Sequence, residues 1–270
     1  MFIDFHVHIF PDHLAERAVA SLAENSGLRP VCAANKRSTV EFMRASGAKK
    51  IVCQNIAVSP RTMHSVNDFA ISSADDFVIP FGSVHPEGDW KSELCRLAAA
   101  GIKGIKFHPE YQNFFIDDET CYPMYEEAFR LGFVLLFHCG LDLAYRPPWK
   151  ASPQRIANFA RQFRGEKIVA AHLGGFSEPE EVKKHLAGLG LYADLAALAS
   201  EYDTPTLPKT LTKELINDMI AVYGADKVLF ATDCPWESPT SGLAALALAD
   251  LTAEERENVL YRNAERLLNL

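Results

Sequence analysis

The first eight residues, MFIDFHVH (1–8), are the stretch on which the reading of this chain turns. Successive side chains along an extended strand point to opposite faces. Here Ile3, Phe5 and Val7 share one face, and Asp4, His6 and His8 share the other. The apolar face suits a layer of surrounding helices, which predicts an inner face carrying Asp4, His6 and His8. Seven further runs follow: KIVCQNIAV (50–58), DFVIPFGSVH (76–85), GIKGIKFH (101–108), GFVLLFH (132–138), KIVAAHL (167–173), GLYADLAAL (190–198) and KVLFATD (227–233). Each is short and rich in β-branched or aromatic residues, as buried parallel strands are.

Between the runs lie segments of helical character, such as SELCRLAAAG (92–101), CYPMYEEAFRLG (121–132) and SPQRIANFARQF (152–163). Gly101 and Gly132 stand where a helix should stop and a strand begin. The stretch from Arg29 to Arg44 is extra material before the second strand, read as a helix covering part of the barrel. Strand–helix alternation implies βαβ units on a parallel sheet. Eight such units in 270 residues predict an α/β protein of the (β/α)8, or TIM-barrel, class. A doubly wound open sheet lacks support, because no strand is followed by a GxGxxG turn. With no linker, low-complexity tract or repeat, residues 1–270 read as a single barrel domain.

Composition narrows the function classes. The chain is 48% hydrophobic and 23% charged, with a formal net charge of -8 and no basic block. Phosphate backbones need clustered Lys and Arg, so nucleic acid is not the expected partner. No run approaches the roughly 20 apolar residues of a membrane span. The N-terminus reads as a folded strand and not as a signal peptide. Cysteines at 32, 53, 95, 121, 139 and 234 form no CxxC pair, which predicts free thiols and a cytoplasmic protein.

The polar residues that end the strands carry the chemistry. Strand 1 offers His6 and His8, strand 5 ends in His138, strand 6 in His172 and strand 8 in Asp233. Active sites of such barrels are built at the C-terminal ends of the strands. Burying several imidazoles and a carboxylate together is costly unless they are partnered. A divalent cation supplies that partner, and His and Asp are natural ligands for zinc and similar metals. Any one of these signals alone is weak; their conjunction makes the case.

With these motifs assembled, the chain resembles the amidohydrolase superfamily, in the amidohydrolase-2 branch that also contains decarboxylases related to aminocarboxymuconate-semialdehyde decarboxylase. The resemblance rests on DFHVH (4–8), GIKGIKFHP (101–109), the strand ending in His138, AHLGG (171–175), LFATDCPW (229–236) and LYRNAERLLNL (260–270). It implies His6, His8 and His138 as metal ligands, Asp233 beside the metal and its water, and His172 as a catalytic or supporting group. It implies one divalent ion, zinc or else manganese. A second ion, bridged by carboxylated Lys106 and bound by His172, is the lesser alternative.

The expected activity is hydrolysis of a small amide, ester or lactone by a metal-activated water, with Asp233 as general base and then acid and His172 stabilising charge. The alternative is a carbon–carbon lyase, decarboxylating a small unsaturated or aromatic acid on the same site. A binding barrel with a structural metal fits less well, since structural zinc sites are closed by four ligands. For the substrate, the sequence offers Lys106, His108, Tyr111 and Arg146, the last by the fit of a guanidinium to a carboxylate. Tyr145 and Trp149 lie on the same loop as Arg146. His85 is ambiguous, and His13, His64 and His185 read as surface residues. A homodimer is a further expectation.

Overall fold

Every ladder in the computed structural model is parallel, and strand follows strand in chain order. Residues 1–175, 177–198 and 212–270 are described. Among them the strands are β1 (Phe2–Val7), β2 (Ala48–Gln54), β3 (Val78–Phe81), β4 (Gly104–Phe107), β5 (Val134–Phe137), β6 (Ile168–Ala170), β7 (Tyr192–Asp194) and β8 (Val228–Leu229). The strands fall into two blocks, β1–β3 and β4–β8. Parallel bridges close both seams, Gly82 to Ile105 and Val7 to Cys234. The Lys106 N–H donates to Gly82 at 2.8 Å, and the His8 N–H to Cys234 at 2.7 Å. The result is the (β/α)8 barrel that the alternation predicted.

The helices are α1 (Asp12–Ser26), α2 (Lys36–Ala45), α3 (Met63–Ser73), α4 (Trp90–Ala99), α5 (Pro109–Gln112), α6 (Tyr122–Arg130), α7 (Pro153–Gln162), α8 (Pro179–Leu186), α9 (Lys213–Tyr223), α10 (Pro239–Ala247), α11 (Ala253–Glu257) and α12 (Asn263–Leu268). Local signals explain their ends. The Ser152 side chain accepts from the Arg155 N–H, and Pro153 opens α7, a cap worth typically about 1 kcal/mol. Gly101 and Gly132 hold φ of 78° and 85° just past α4 and α6, angles that cost glycine little. α2 is the covering helix expected before the second strand; Asn35 caps it, and Thr39 and Met43 face inward. Among the described residues no helix is long and apolar enough to cross a membrane.

Two apolar clusters separate the layers. The larger joins outward strand residues, such as Ile51, Ile105, Leu135 and Ile168, to Met43, Leu94, Met124 and Phe159 of the helices. The smaller fills the barrel with Ile3, Phe5, Val52, Phe81, Val134, Leu136, Val169 and Leu229, plus Ala264, Leu267 and Leu268 of α12. This corrects the simple alternation expected of strand 1, in which Ile3 and Phe5 faced the helices. Both instead pack inside, and the Phe5 ring meets Phe81 edge-on at 5.8 Å. The reason is a bulge. Asp4 pairs with Ile51 and Val7 with Cys53, so β1 uses one residue more than β2 over the same stretch. An extra residue reverses the side-chain parity beyond it. Below the bulge, apolar side chains fill the core; above it, His6 and His8 turn to the mouth while Val7 joins the outer cluster.

Candidate active site

His6 and His8 leave the bulged end of β1 and meet Asp233, which follows β8. Their Nε2 atoms lie 3.5 and 3.0 Å from Asp233 Oδ1. These three ligand atoms all lie within 4.8 Å of one another. Asp233 reaches in from a left-handed backbone, φ 64°, a conformation that costs a non-glycine residue and recurs at functional sites. Its own N–H donates to His6 O at 2.9 Å, which ties the two strand ends together. Burial works against the charge of Asp233, but the imidazoles of His6 and His8 beside it outweigh that and hold the carboxyl at about 2.

The second nitrogen of each ring is already committed. His6 Nδ1 lies 2.8 Å from Asp194 Oδ2, and His8 Nδ1 lies 3.0 Å from Gln54 O. Both partners only accept, so each Nδ1 carries a proton and Nε2 is the atom that each ring turns to Asp233. Burial keeps the His6 pKa well below the ordinary imidazole range, which leaves the ring neutral. With their Nδ1 protons held by these acceptors and their Nε2 atoms turned to an ionised carboxylate, the two imidazoles make a donor set suited to a divalent cation.

Asp194 is a residue that the sequence reading missed. It is fully buried at the end of β7, holds His6, and takes the N–H groups of His172 and Ala196 on Oδ1 at 2.8 and 3.2 Å. A lone carboxylate inside the apolar run YADLAAL was the available signal, since an unpaired Asp is almost never buried. Asp4 is also fully buried, and it fastens β1 to β8 by accepting from Thr232 Oγ1 at 2.7 Å. Burial raises its pKa to about 7.

Lys106 and the remaining histidines surround this group. Lys106 Nζ lies 3.1 Å from His6 Nε2, so a lysine proton points at the lone pair that a metal would take. Burial lowers the Lys106 pKa to about 8. His172 sits 5.3 Å from His6, ring centre to ring centre. Its Nδ1 lies 3.0 Å from Ala196 O and its Nε2 3.0 Å from His138 Nδ1. The carbonyl requires a proton on His172 Nδ1, so His138 Nδ1 donates to His172 Nε2. That leaves His138 Nε2 as a lone pair, buried and without a hydrogen-bond partner.

The structure therefore gathers His6, His8 and Asp233 directly, and joins His138 to them through His172. His138 belongs to a neighbouring group with His108 and Asp142. Asp142, from the loop after β5, is the second residue that the sequence reading missed; its Oδ2 lies 3.3 Å from His108 Nε2 and 3.9 Å from His138 Nε2. The His108 ring stacks on His138 at 4.0 Å and on Tyr111 at 3.7 Å, with Tyr145 5.5 Å beyond Tyr111. The ligand atoms of His108, His138 and Asp142 also lie within 4.8 Å of one another, so this group is a second candidate for holding a cation.

The histidines of both groups, Asp233 and Asp142 open on one cavity of about 740 Å³, which Lys106, His108 and Tyr111 also line. Arg146 is exposed on its loop and stands outside the cavity, as does Trp149. Trp236 lines the cavity instead, and so does His13. His85 is buried away from the cavity, where its ring accepts from the Glu87 N–H. His64 pairs with Asp68 and Glu93, and His185 pairs with Glu181.

A family model described as amidohydrolase matches residues 3–270. No curated protein sequence matches the chain. Among solved structures, 5-carboxyvanillate decarboxylase from Sphingomonas paucimobilis superposes with a TM-score of 0.72 at 13% identity, covering 100% of this chain and 99% of that one. An uncharacterized TIM-barrel protein from Bordetella bronchiseptica gives 0.73 at 21% identity, over 99% and 98% of the two chains. A dihydroxybenzoic acid decarboxylase from Polaromonas sp. JS666, solved with bound manganese and the inhibitor 2-nitroresorcinol, gives 0.71 at 15% identity, over 100% and 97%. At these identities the likeness establishes the fold.

Proposed function

This chain belongs to the amidohydrolase family, and from that premise we propose that it is a metal-dependent decarboxylase of a small aromatic or unsaturated acid, acting as one barrel domain over residues 1–270. The observation that carries the metal-dependent reading is the meeting of His6 Nε2, His8 Nε2 and Asp233 Oδ1, with both Nδ1 protons held elsewhere. These three would hold one divalent ion, zinc or manganese. His138 is the fourth expected ligand; its Nε2 is unpartnered but faces Asp142, so the ring would have to turn to join this ion. When bound, the ion would supply Lewis-acid stabilisation of negative charge on the substrate.

The chain's own residues supply the rest. His138, His108 and Tyr111 stack face to face and Tyr145 is tilted by 35° against Tyr111; together they give the cavity an aromatic lining that suits a planar ring. Lys106 brings a buried cation that draws the substrate carboxylate to the cluster. Loss of carbon dioxide leaves an electron pair on the ring carbon, which must be protonated. Asp233 is ionised, takes a proton from an acidic group of the bound substrate, and returns it to that carbon. His172 acts as a positioning residue, fixing His138 through its Nε2.

The aromatic lining and the decarboxylases of like fold support this reading over the hydrolytic one. Hydrolysis remains the second reading, because an ionised Asp233 beside the cluster also suits a general base toward water. Incubating the manganese-loaded enzyme with hydroxybenzoates and, in parallel, with small aryl esters, amides and lactones in 18O-labelled water separates the two. Release of carbon dioxide with no label in the product is the expected result. Label in a ring-opened or deacylated product, with no carbon dioxide, replaces it with the hydrolase.

A further inference from the structure

The cavity extends well beyond the polar cluster. Its 740 Å³ falls within the range of roughly 300–1,000 Å³ that accepts drug-sized ligands, while a single-ring acid engages only the end that holds His6, Lys106 and Asp233. Along α1, Leu14, Ala18 and Leu22 all line the space. A spacing of four residues puts them on one helix face, and eight residues at 1.5 Å each make a wall about 12 Å long. α1 carries a broad apolar stripe. One edge, Ala15 and Val19, is buried. The other, Leu14, Ala18 and Leu22, stays partly exposed along the cavity. Ile56, after β2, and Val66 and Phe69, one turn apart on α3, line the same space.

Apolar side chains left uncovered beside a polar site stay unfavourably hydrated until a ligand covers them. This wall is continuous with the site, which sets its occupant. We propose that it receives an elongated apolar substituent of the substrate, so that the enzyme selects acids whose ring bears an alkyl chain. The inference rests on the proposed acid-binding role of the polar end and adds the second half of the ligand.

The test is binding, not turnover. Benzoate and its 4-methyl, 4-butyl, 4-hexyl and 4-octyl derivatives are titrated calorimetrically into manganese-loaded enzyme. Each methylene covered by the wall should tighten binding about fourfold. Ala18→Trp, which fills the arm, and Val66→Asp, which makes it polar, should both flatten that dependence. Each should bind unsubstituted benzoate within about twofold of the parent protein, which also reports that the variants are folded. Affinity independent of chain length in the parent, or undiminished increments in both variants, overturns the proposal. So does a concentration-dependent dimer that Val66→Asp abolishes in a protein insensitive to chain length, which gives the face to a second copy. Chain-length-dependent binding with no carbon dioxide released from any acid leaves the arm standing and removes the lyase reading. Release from unsubstituted acids with no chain-length effect does the reverse.

Discussion

His6 shows how a single residue acquires its role. Its Nε2 can serve a cation only because Nδ1 is held by Asp194, 2.8 Å away. Changing Asp194 to Asn exchanges a charged acceptor for a neutral one and loosens the ring. Metal affinity should fall roughly 10- to 100-fold, as read by competition with a chromophoric chelator. Unchanged affinity would relegate Asp194 to a packing role. Asp233→Asn removes the group proposed to carry the proton, and turnover should drop by at least about 100-fold while circular dichroism stays that of the parent. Near-normal turnover in that variant would end the proton-carrying role. His6, His8, His138, His172 and Asp233 were legible in the sequence because each ends an apolar run. Asp194 and Asp142 were not: one lies within an apolar run and the other in a loop, and neither position announces a partner that is distant along the chain.

Elements decide where those side chains point. The bulge in β1 is a property of its pairing with β2, so alternation along residues 1–8 placed His6 and His8 correctly but reversed Ile3 and Phe5. β4 is constrained from inside the barrel. A Cβ added at Gly104 would lie 2.3 Å from the Phe81 ring, and neighbouring strands leave that ring no room to move. Gly104→Ala should cost about 1–3 kcal/mol, measured by urea unfolding; a neutral substitution would show that the interior can repack. After β4, Glu110 is buried, and its Oε1 accepts from the Lys150 N–H at 2.7 Å while Oε2 has no partner. Burial raises its pKa from 4.5 to about 6. The folded state therefore binds this proton more tightly than the unfolded chain. The associated stability is complete below about pH 4.5 and is lost as pH rises through 6, by about 2 kcal/mol in all. Glu110→Gln should reduce the slope of denaturation midpoints between about pH 4.5 and 7, leaving the part that belongs to Asp4, whose pKa burial raises to about 7. A slope unchanged in the variant would show that Glu110 does not contribute to it.

Over the whole molecule, binding at the strand ends couples to folding of the barrel. At a metal concentration 100 times the Kd, a ligand that binds only the native state adds about 2.7 kcal/mol. At roughly 2–4 °C per kcal/mol for a chain of this order of size, chelation should lower the melting temperature by about 5–10 °C, and zinc or manganese should restore it. The His6→Ala/His8→Ala variant should melt at one temperature with or without chelator. A melting temperature indifferent to metal in the parent protein would remove the basis of the proposed chemistry.

The amino-acid sequence by itself determined the barrel and the set of histidines at its mouth. Eight apolar runs separated by amphipathic segments leave few ways to bury the strands, and polar residues ending those runs must emerge where the strands end. Only the tertiary structure decided how that set divides. His6, His8 and Asp233 meet directly, His138 turns toward His172 and Asp142, and Arg146 stays outside. Ring orientation, proton position and the cavity wall along α1 depend on contacts between residues far apart in the chain, and no local pattern encodes a distance between them.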